Sequence, residues 1–343
     1  MNVIQRPRSK EFCATMQDYI IDTDETITFA VEYGGKKILE EDYSPDGQNR
    51  VRVRRLGRFC ELALWGVWCA GESSWQPDAA GTFSFSINGV KDTDSFVMFS
   101  RMQTRKDASA PGVLSEVTRK VCRPGVPEYV SGMPPEDEDG FAVTGYDADG
   151  VAHTGTLAPS ITVDTGGSTP GVQRVSPIAT VEAGPDTVAA LLGMEVSALA
   201  RYTVGAAGGS LEFVADASHY ADLRVFRFKN VYDMPETLCC TGPLTLAGAN
   251  EDDTAEMWGV ERKFGLRVTD EYTVQSGPIY LRQEYKLWHN LLNAQEAEIL
   301  SGEDWLPIVI TKQKLERDFR RSVLASVEFS FRMADAAQNN LIE

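Results

Sequence analysis

The chain has 343 residues, 43% apolar and 9% aromatic, with 33 basic against 50 acidic side chains and a formal net charge of −17. That size holds two or three domains with cores of their own, and that composition excludes a disordered chain. The charge argues against a nucleic-acid partner, whose binding rests on neutralised phosphates, and no apolar run is long enough to predict a membrane span.

Residues 1–11 are polar, contain Pro7, and are expected to form a flexible arm. No apolar stretch follows their positive charges, so no secretory signal is expected. Ile27, Phe29 and Val31 then alternate with Thr28, Ala30 and Glu32, and Gly34-Gly35 turns the chain back through Lys37 to Tyr43. Pro45-Asp46-Gly47 is a second turn, with proline presetting φ and glycine accepting a positive φ. Val51 and Val53 alternate with Arg50, Arg52 and Arg54. Together with Arg55 and Arg58 these make the one basic cluster, which is either a solvated strand face or a docking face for an acidic neighbour, another copy included.

The run FCELALWGVW (59–68) predicts a buried strand, and Trp65, Trp68 and Trp75 are expected in the core. Phe83, Phe85 and Ile87 lead into the hairpin signal Asn88-Gly89, and Ser95–Met102 supplies the next strand. Residues 12–130 thus predict an all-β domain. Between Pro124 and Ala200 there are eleven carboxylates and one basic residue, Arg174. Within it, residues 131–176 predict an acidic Gly/Pro-rich linker or small β insert, and Glu136, Asp137, Glu138 and Asp139 are candidate contacts for a basic partner.

Residues 177–343 predict a second β-rich domain. Asp186–Met194 reads as a short helix behind Gly184-Pro185, and residues 202–204 and 211–214 as strands across Gly208-Gly209. Leu223–Val231 is a strand ended by Pro235, and Leu238–Leu246 and Met257–Val268 continue in β. Ser276-Gly277-Pro278 is expected to open one long helix, 278–300, with Leu281, Tyr285, Trp288 and Leu292 on one stripe. Leu306–Ile310 is a short strand and Lys312–Arg321 a charged connection. From Val323 to Met333 the odd positions Val323, Ala325, Val327, Phe329, Phe331 and Met333 are apolar and most of the even ones polar, the period of a two-faced strand. The expected class is mainly β, α+β at the C-terminus: two sandwich- or barrel-like domains with one long helix packed on the C-terminal sheet.

Signals for chemistry are sparse. Cys13, Cys60, Cys69, Cys122, Cys239 and Cys240 fit no zinc ribbon or redox pair and are expected to be reduced, buried and apolar in role. His153, His219 and His289 lie in different predicted elements, and no Walker loop, HExxH, GxSxG or dinucleotide-binding glycine pattern occurs, so no cofactor is expected. Asp147-Ala148-Asp149-Gly150 and the acidic run at 136–139 fail the calcium-loop spacing. Asp164-Thr165-Gly166 resembles the aspartic-protease signature, and Leu191-Leu192-Gly193 its apolar support. No second such aspartate occurs and Gly193 follows too soon for a flap, so a retropepsin-like protease around Asp164 stays an alternative. Exposed tryptophans such as Trp75 or Trp258 would make a carbohydrate-binding surface, a further alternative.

VFRFKNVYDMPETLCCTG (225–242), LPIVITKQ (306–313) and VEFSFRMAD (327–335) resemble tail-associated structural proteins of phages and prophages in Bacteroidetes, as does the strand–turn–strand at 38–54. The resemblance covers about a third of the chain. It implies a non-enzymatic subunit that assembles with itself and with other virion proteins into tail or baseplate rings. Such a subunit is made in the bacterial cytoplasm without a signal peptide and ends up in a virion or prophage-derived particle.

Overall fold

The computed structural model describes residues 1–64, 74–76, 79–135, 140–159, 178–314 and 325–338. It is mainly β, with a few short helices and no closed barrel among the described residues. In the N-terminal part, Ile27–Tyr33 and Lys36–Tyr43 pair as a hairpin, and Ala80–Ile87 and Val90–Met98 as a second. Asn88 (φ 51°) and Gly89 (φ 75°) both adopt the left-handed conformation that the Asn-Gly signal predicts. Lys10–Phe12 adds to Val90–Met98 in parallel and completes a five-stranded sheet. A second sheet runs Asn2–Gln5, Tyr19–Asp22, Arg50–Val53. Tyr19, Ile21, Val51 and Val53 from this sheet pack with Phe29, Val31, Phe83 and Phe85 from the larger one, so the two make a sandwich.

Three local expectations change here. The first eleven residues are not a flexible arm: Val3 pairs with Ile21, and Lys10–Phe12 with Phe96–Met98. Both partners are distant in sequence and leave no local signal. In the turn after Pro45, the positive φ belongs to Asn49 (56°), not Gly47, and the Asp46 carboxylate accepts the N–H groups of Gln48 and Arg50. The expected strand 59–68 is instead a helix, Leu56–Ala63. Leu56, Cys60 and Leu64 at i, i+4, i+8 face the core, and Gly57 lets the helix close on the preceding chain: a β-carbon there would come within 1.8 Å of the Cys13 carbonyl oxygen. Trp65 and Trp68 lie outside the described residues.

The rest of the chain builds three sheets around one core. Arg119–Cys122, Gly209–Ala215, Leu199–Ala206, Phe141–Asp147 and Ala152–Leu157 lie in that order in the first. Tyr129–Gly132, Ala179–Glu182 and Ser74–Trp75 form the second. The third has seven strands, in the order Pro235–Cys240, Arg224–Lys229, Ala297–Ser301, Asp304–Lys314, Glu328–Met333, Val260–Gln275, Leu244–Met257. The helix expected at Asp186–Met194 is Pro185–Leu192, with proline in its first turn, and it ends earlier than expected because Gly193 (φ 66°) takes the left-handed conformation of a helix cap.

The two-faced C-terminal strand is present and spans Glu328–Met333; residues 315–324 are outside the described set. Val327, Phe329, Phe331 and Met333 are buried while Glu328 and Arg332 are exposed. Phe331 stacks on Tyr272 (5.3 Å between centroids) and meets Phe226 edge-on (5.5 Å). The adjacent Cys239 and Cys240 face opposite sides of their strand, Cys240 into the main core and Cys239 into a small cluster with Val126 and Val225. Both are free and buried, as are Cys13, Cys60 and Cys122; Cys69 is outside the described residues.

The long helix is shorter than expected: it is Tyr285–Leu292 behind a single 3-10 turn, Arg282–Glu284. Gly277 (φ 73°) and an extended Leu281 keep the preceding chain out of helix, Ile279 bridges to Ala325, and Ala297–Ser301 is a strand. The expected strand Met257–Val268 is divided by a two-residue turn at Trp258 (φ 53°) and Gly259 (φ 73°).

Phe331→Ala is expected to lose about 3–5 kcal/mol in urea unfolding, since it empties an aromatic core site, whereas Arg332→Ala, on the opposite face, stays within about 0.5 kcal/mol of the parent. Equal losses would contradict the two-faced strand.

Candidate functional site

The basic cluster does not converge on one point. Arg50 and Arg52 are on Arg50–Val53, an edge strand of the three-stranded sheet; Arg54 and Arg55 follow it, and Arg58 is on the helix behind. Arg50 pairs with Asp22 (2.8 Å) and Arg58 with Glu61 (2.5 Å). Arg52, Arg54 and Arg55 are exposed and make no ion pair with another described residue. What remains, among the described residues, is three exposed cations on and after the last strand of a sheet, with no cleft beside them. Glu136, Asp137, Glu138 and Asp139 lie outside the described residues, as does Asp164 of the protease alternative. Asp147 spends its carboxylate on its own turn, accepting the N–H groups of Asp149 (3.0 Å) and Val151 (2.8 Å). Trp75 is only 3% exposed and pairs within a sheet, which removes it as a sugar platform.

Trp258 is the opposite case, 90% exposed at the tip of the hairpin Leu244–Met257/Val260–Gln275. Among the described residues only Tyr272–Gln275 pair with a third strand. Beyond that base two strands continue alone, and every residue from Asp253 to Phe264 is exposed. The register puts Met257 opposite Val260, Ala255 opposite Arg262 and Asp253 opposite Phe264 on one face. Glu256 opposite Glu261 and Thr254 opposite Lys263 make the other. One face is therefore largely apolar in water, and the other sets two carboxylates directly across from each other, which repel. Gly259 inside an alternating run was the sequence signal for this turn.

The inner charges are bound into the fold, although one Glu128 oxygen has no hydrogen-bond partner among the described residues. Lys120, on Arg119–Cys122, reaches Glu128 (2.5 Å) and donates to the Thr237 carbonyl, all out of solvent. Burial pulls the Lys120 ammonium down, but Glu128 and Glu236 outweigh it, so its pKa is raised. Burial pushes the Glu128 carboxyl up to about 7 against the opposing pull of Lys120. Glu236 accepts from Ser115 (2.5 Å) and Asn230 (3.1 Å), and Glu284 accepts the Val121 N–H (2.6 Å). The cavity beside Lys120, Arg123 and Glu284 is about 30 Å³, room for one water and no substrate. Arg227 grips Glu298 through two nitrogens (2.8 and 2.6 Å) and lies 4.2 Å over the Trp305 ring.

A larger cleft, about 310 Å³, opens beside helix Tyr285–Leu292. Tyr285, Lys286, His289 and Asn290 line it from the helix, and Met102, Gln103, Glu116 and Val231 from across it. Lys286 is 3.9 Å from Glu116, whose other oxygen accepts from Tyr232 (2.7 Å). The Asn290 side-chain nitrogen is buried without a hydrogen-bond partner among the described residues. Sequence reasoning missed this cleft because its walls come from separate stretches, Met102 to Glu116, Val231, and Tyr285 to Asn290, with no local pattern joining them. Among the described residues no group of three or more His, Cys, Asp or Glu could hold a metal ion, and no helix is long and apolar enough to cross a membrane.

No family model matches this chain, and no curated protein matches it.

The raised Glu128 carboxyl fixes the sign of a pH effect. Its protonated form is favoured in the folded state, so its stabilising contribution is full below its ordinary range near 4.5 and is lost as pH rises through about 7. Glu128→Gln cannot titrate and mimics the protonated form. Its melting temperature is expected to match the parent near pH 5 and to exceed it by several degrees near pH 8; a difference that stays constant with pH would contradict the assignment.

Proposed function

We propose that this chain is a non-enzymatic structural subunit that self-associates through its projecting hairpin and docks other structural proteins, in the manner its resemblance to phage and prophage tail or baseplate proteins implies. The observation that carries this is the ribbon from Asp253 to Phe264, which touches none of its own core yet displays Met257, Trp258, Val260 and Phe264. A two-stranded ribbon on its own is marginally stable in water, and an apolar ribbon face marks a surface meant to be covered. Burying the Trp258 indole removes roughly 150–250 Å² of surface, about 4–6 kcal/mol at ~25 cal/mol/Å². The open cations Arg52, Arg54 and Arg55 on an edge strand give a second contact of the opposite chemistry, suited to an acidic neighbour. A virion or prophage-derived particle is the setting this reading gives the protein.

Exposure of Trp258 also favours a second reading, glycan binding at the hairpin tip. Light scattering separates the two. The parent is expected at a multiple of 37.7 kDa. A variant with Asp253–Phe264 replaced by an Asn-Gly turn is expected at the mass of its own single chain, slightly below the parent's 37.7 kDa, with an unchanged melting temperature, because the ribbon buries nothing in the core. A parent that stays monomeric across concentration and salt overturns the assembly reading. Glycan-array binding abolished by Trp258→Ala in such a monomer would install the second.

A further inference from the structure

We infer that the cleft beside helix Tyr285–Leu292 is the socket for the hairpin tip of a second copy of this chain, with the Trp258 indole as the inserted group; the inference rests on the assembly reading above. Four features of the two surfaces point to it. The cleft, at about 310 Å³, lies in the range of ~300–1,000 Å³ typical of binding pockets and has room for one indole among Met102, Val231 and Tyr285. Its wall holds a buried donor without an acceptor, the Asn290 amide nitrogen, in a residue only 7% exposed. A two-residue turn supplies the missing acceptor, since the carbonyls of Trp258 and Gly259 lie beyond the last cross-strand pair, Met257 with Val260. The charges also match. Glu256 and Glu261, set across from each other behind the tip, call for a cation, and the mouth of the cleft carries Lys286, whose side chain is 58% exposed. On the cleft side Glu116 offers a carboxylate to the indole N–H, one oxygen of which already accepts from Tyr232.

Topology sets the mode of assembly. The hairpin is at one edge of the seven-stranded sheet; the cleft lies by the other, where helix Tyr285–Leu292 packs on Arg224–Lys229 and Val231 follows that strand. Tip and socket are thus different surfaces of one molecule. Unless two copies exchange tips across one two-fold axis, contact between them is head-to-tail, and its repetition generates a ring or a filament.

The test places the photo-cross-linker benzoylphenylalanine at position 258 of the full chain and maps the products by mass spectrometry, with light scattering on Lys286→Glu and Lys286→Arg alongside. The expected result is a cross-link between two copies, from position 258 to peptides holding Met102 and Gln103 or Tyr285 to Asn290. Lys286→Glu is expected to weaken association about tenfold or more, Lys286→Arg to preserve it, and both to melt like the parent. A cross-link between copies that lands elsewhere, with association indifferent to Lys286→Glu, overturns the socket and leaves self-association standing. A cross-link confined to one copy, in a protein that stays at 37.7 kDa, overturns both.

Discussion

One ammonium group holds the junction of three sheets. Lys120 belongs to the five-stranded sheet, Glu128 leads into the three-stranded sheet at Tyr129, and the Thr237 carbonyl belongs to the seven-stranded one. All three are buried, so none can exchange its partner for water. Removing the Lys120 ammonium leaves Glu128 and Glu236 without their shared cation in a medium of low dielectric, which costs several kcal/mol, whereas the intact set adds little over a well-packed apolar core. The consequence is selectivity among packings: the sheets close only in the arrangement that brings the three groups together. Ser115 on Glu236 and the Val121 N–H on Glu284 repeat the logic at either side. The aromatic core of Phe226, Phe329, Phe331 and Tyr272 then supplies the bulk of the burial within an arrangement already fixed.

The same economy joins the N-terminal sandwich to the rest. Phe12 from its parallel edge strand meets the Tyr232 ring at 5.6 Å, and Met98, Leu114, Ile178, Val231 and Met234 close a small apolar cluster around them. Arg101 reaches Asp233 at 2.7 Å next to it. Tyr232 connects this seam to the cleft, because its hydroxyl holds Glu116 at the cleft wall. The socket proposed for a second copy is thus anchored to the interior and is not a loose surface depression.

Period-two patterns carried most of the fold in the sequence. Ile27–Tyr33, Ala80–Ile87 and Glu328–Met333 could be read directly, because each lays one face on a core and leaves the other outside. Elements whose partners are remote could not: Asn2–Gln5 and Lys10–Phe12 are too short to carry a period. The 278–300 stripe failed for a different reason. Tyr285, Trp288 and Leu292 do face the core, but Gly277 and the bridge from Ile279 to Ala325 take the earlier residues into extended chain, and Ala297 onward is claimed by the sheet. Tertiary pairing outweighs a helical spacing whose intrinsic preference is a few tenths of a kcal/mol per residue. Lys120 was unreadable as an interior residue, since a charged side chain in a strand reads as surface. The arginines of 50–58 were legible as a cluster, but the division into paired (Arg50, Arg58) and open (Arg52, Arg54, Arg55) depends on Asp22 and Glu61 standing where they do.

The proposed association has to overcome two opposing terms. A net charge of −17 makes copies repel, and joining two bodies costs an estimated ~4–15 kcal/mol of lost freedom. One inserted indole returns about 4–6 kcal/mol, so a single tip-and-socket contact is near balance or below it. A head-to-tail contact differs from a two-fold one in what happens at closure. Every member of a ring uses both its tip and its socket, and the final contact forms within an assembly already tethered, at high effective concentration. Weak joints of this kind keep single copies soluble while the complete ring is held by all of them together. A projecting hairpin that leaves its own core untouched suits the proposed division: the interior would fold independently of assembly, and changes at Met257, Trp258 and Phe264 would tune the proposed contact without disturbing the junction at Lys120.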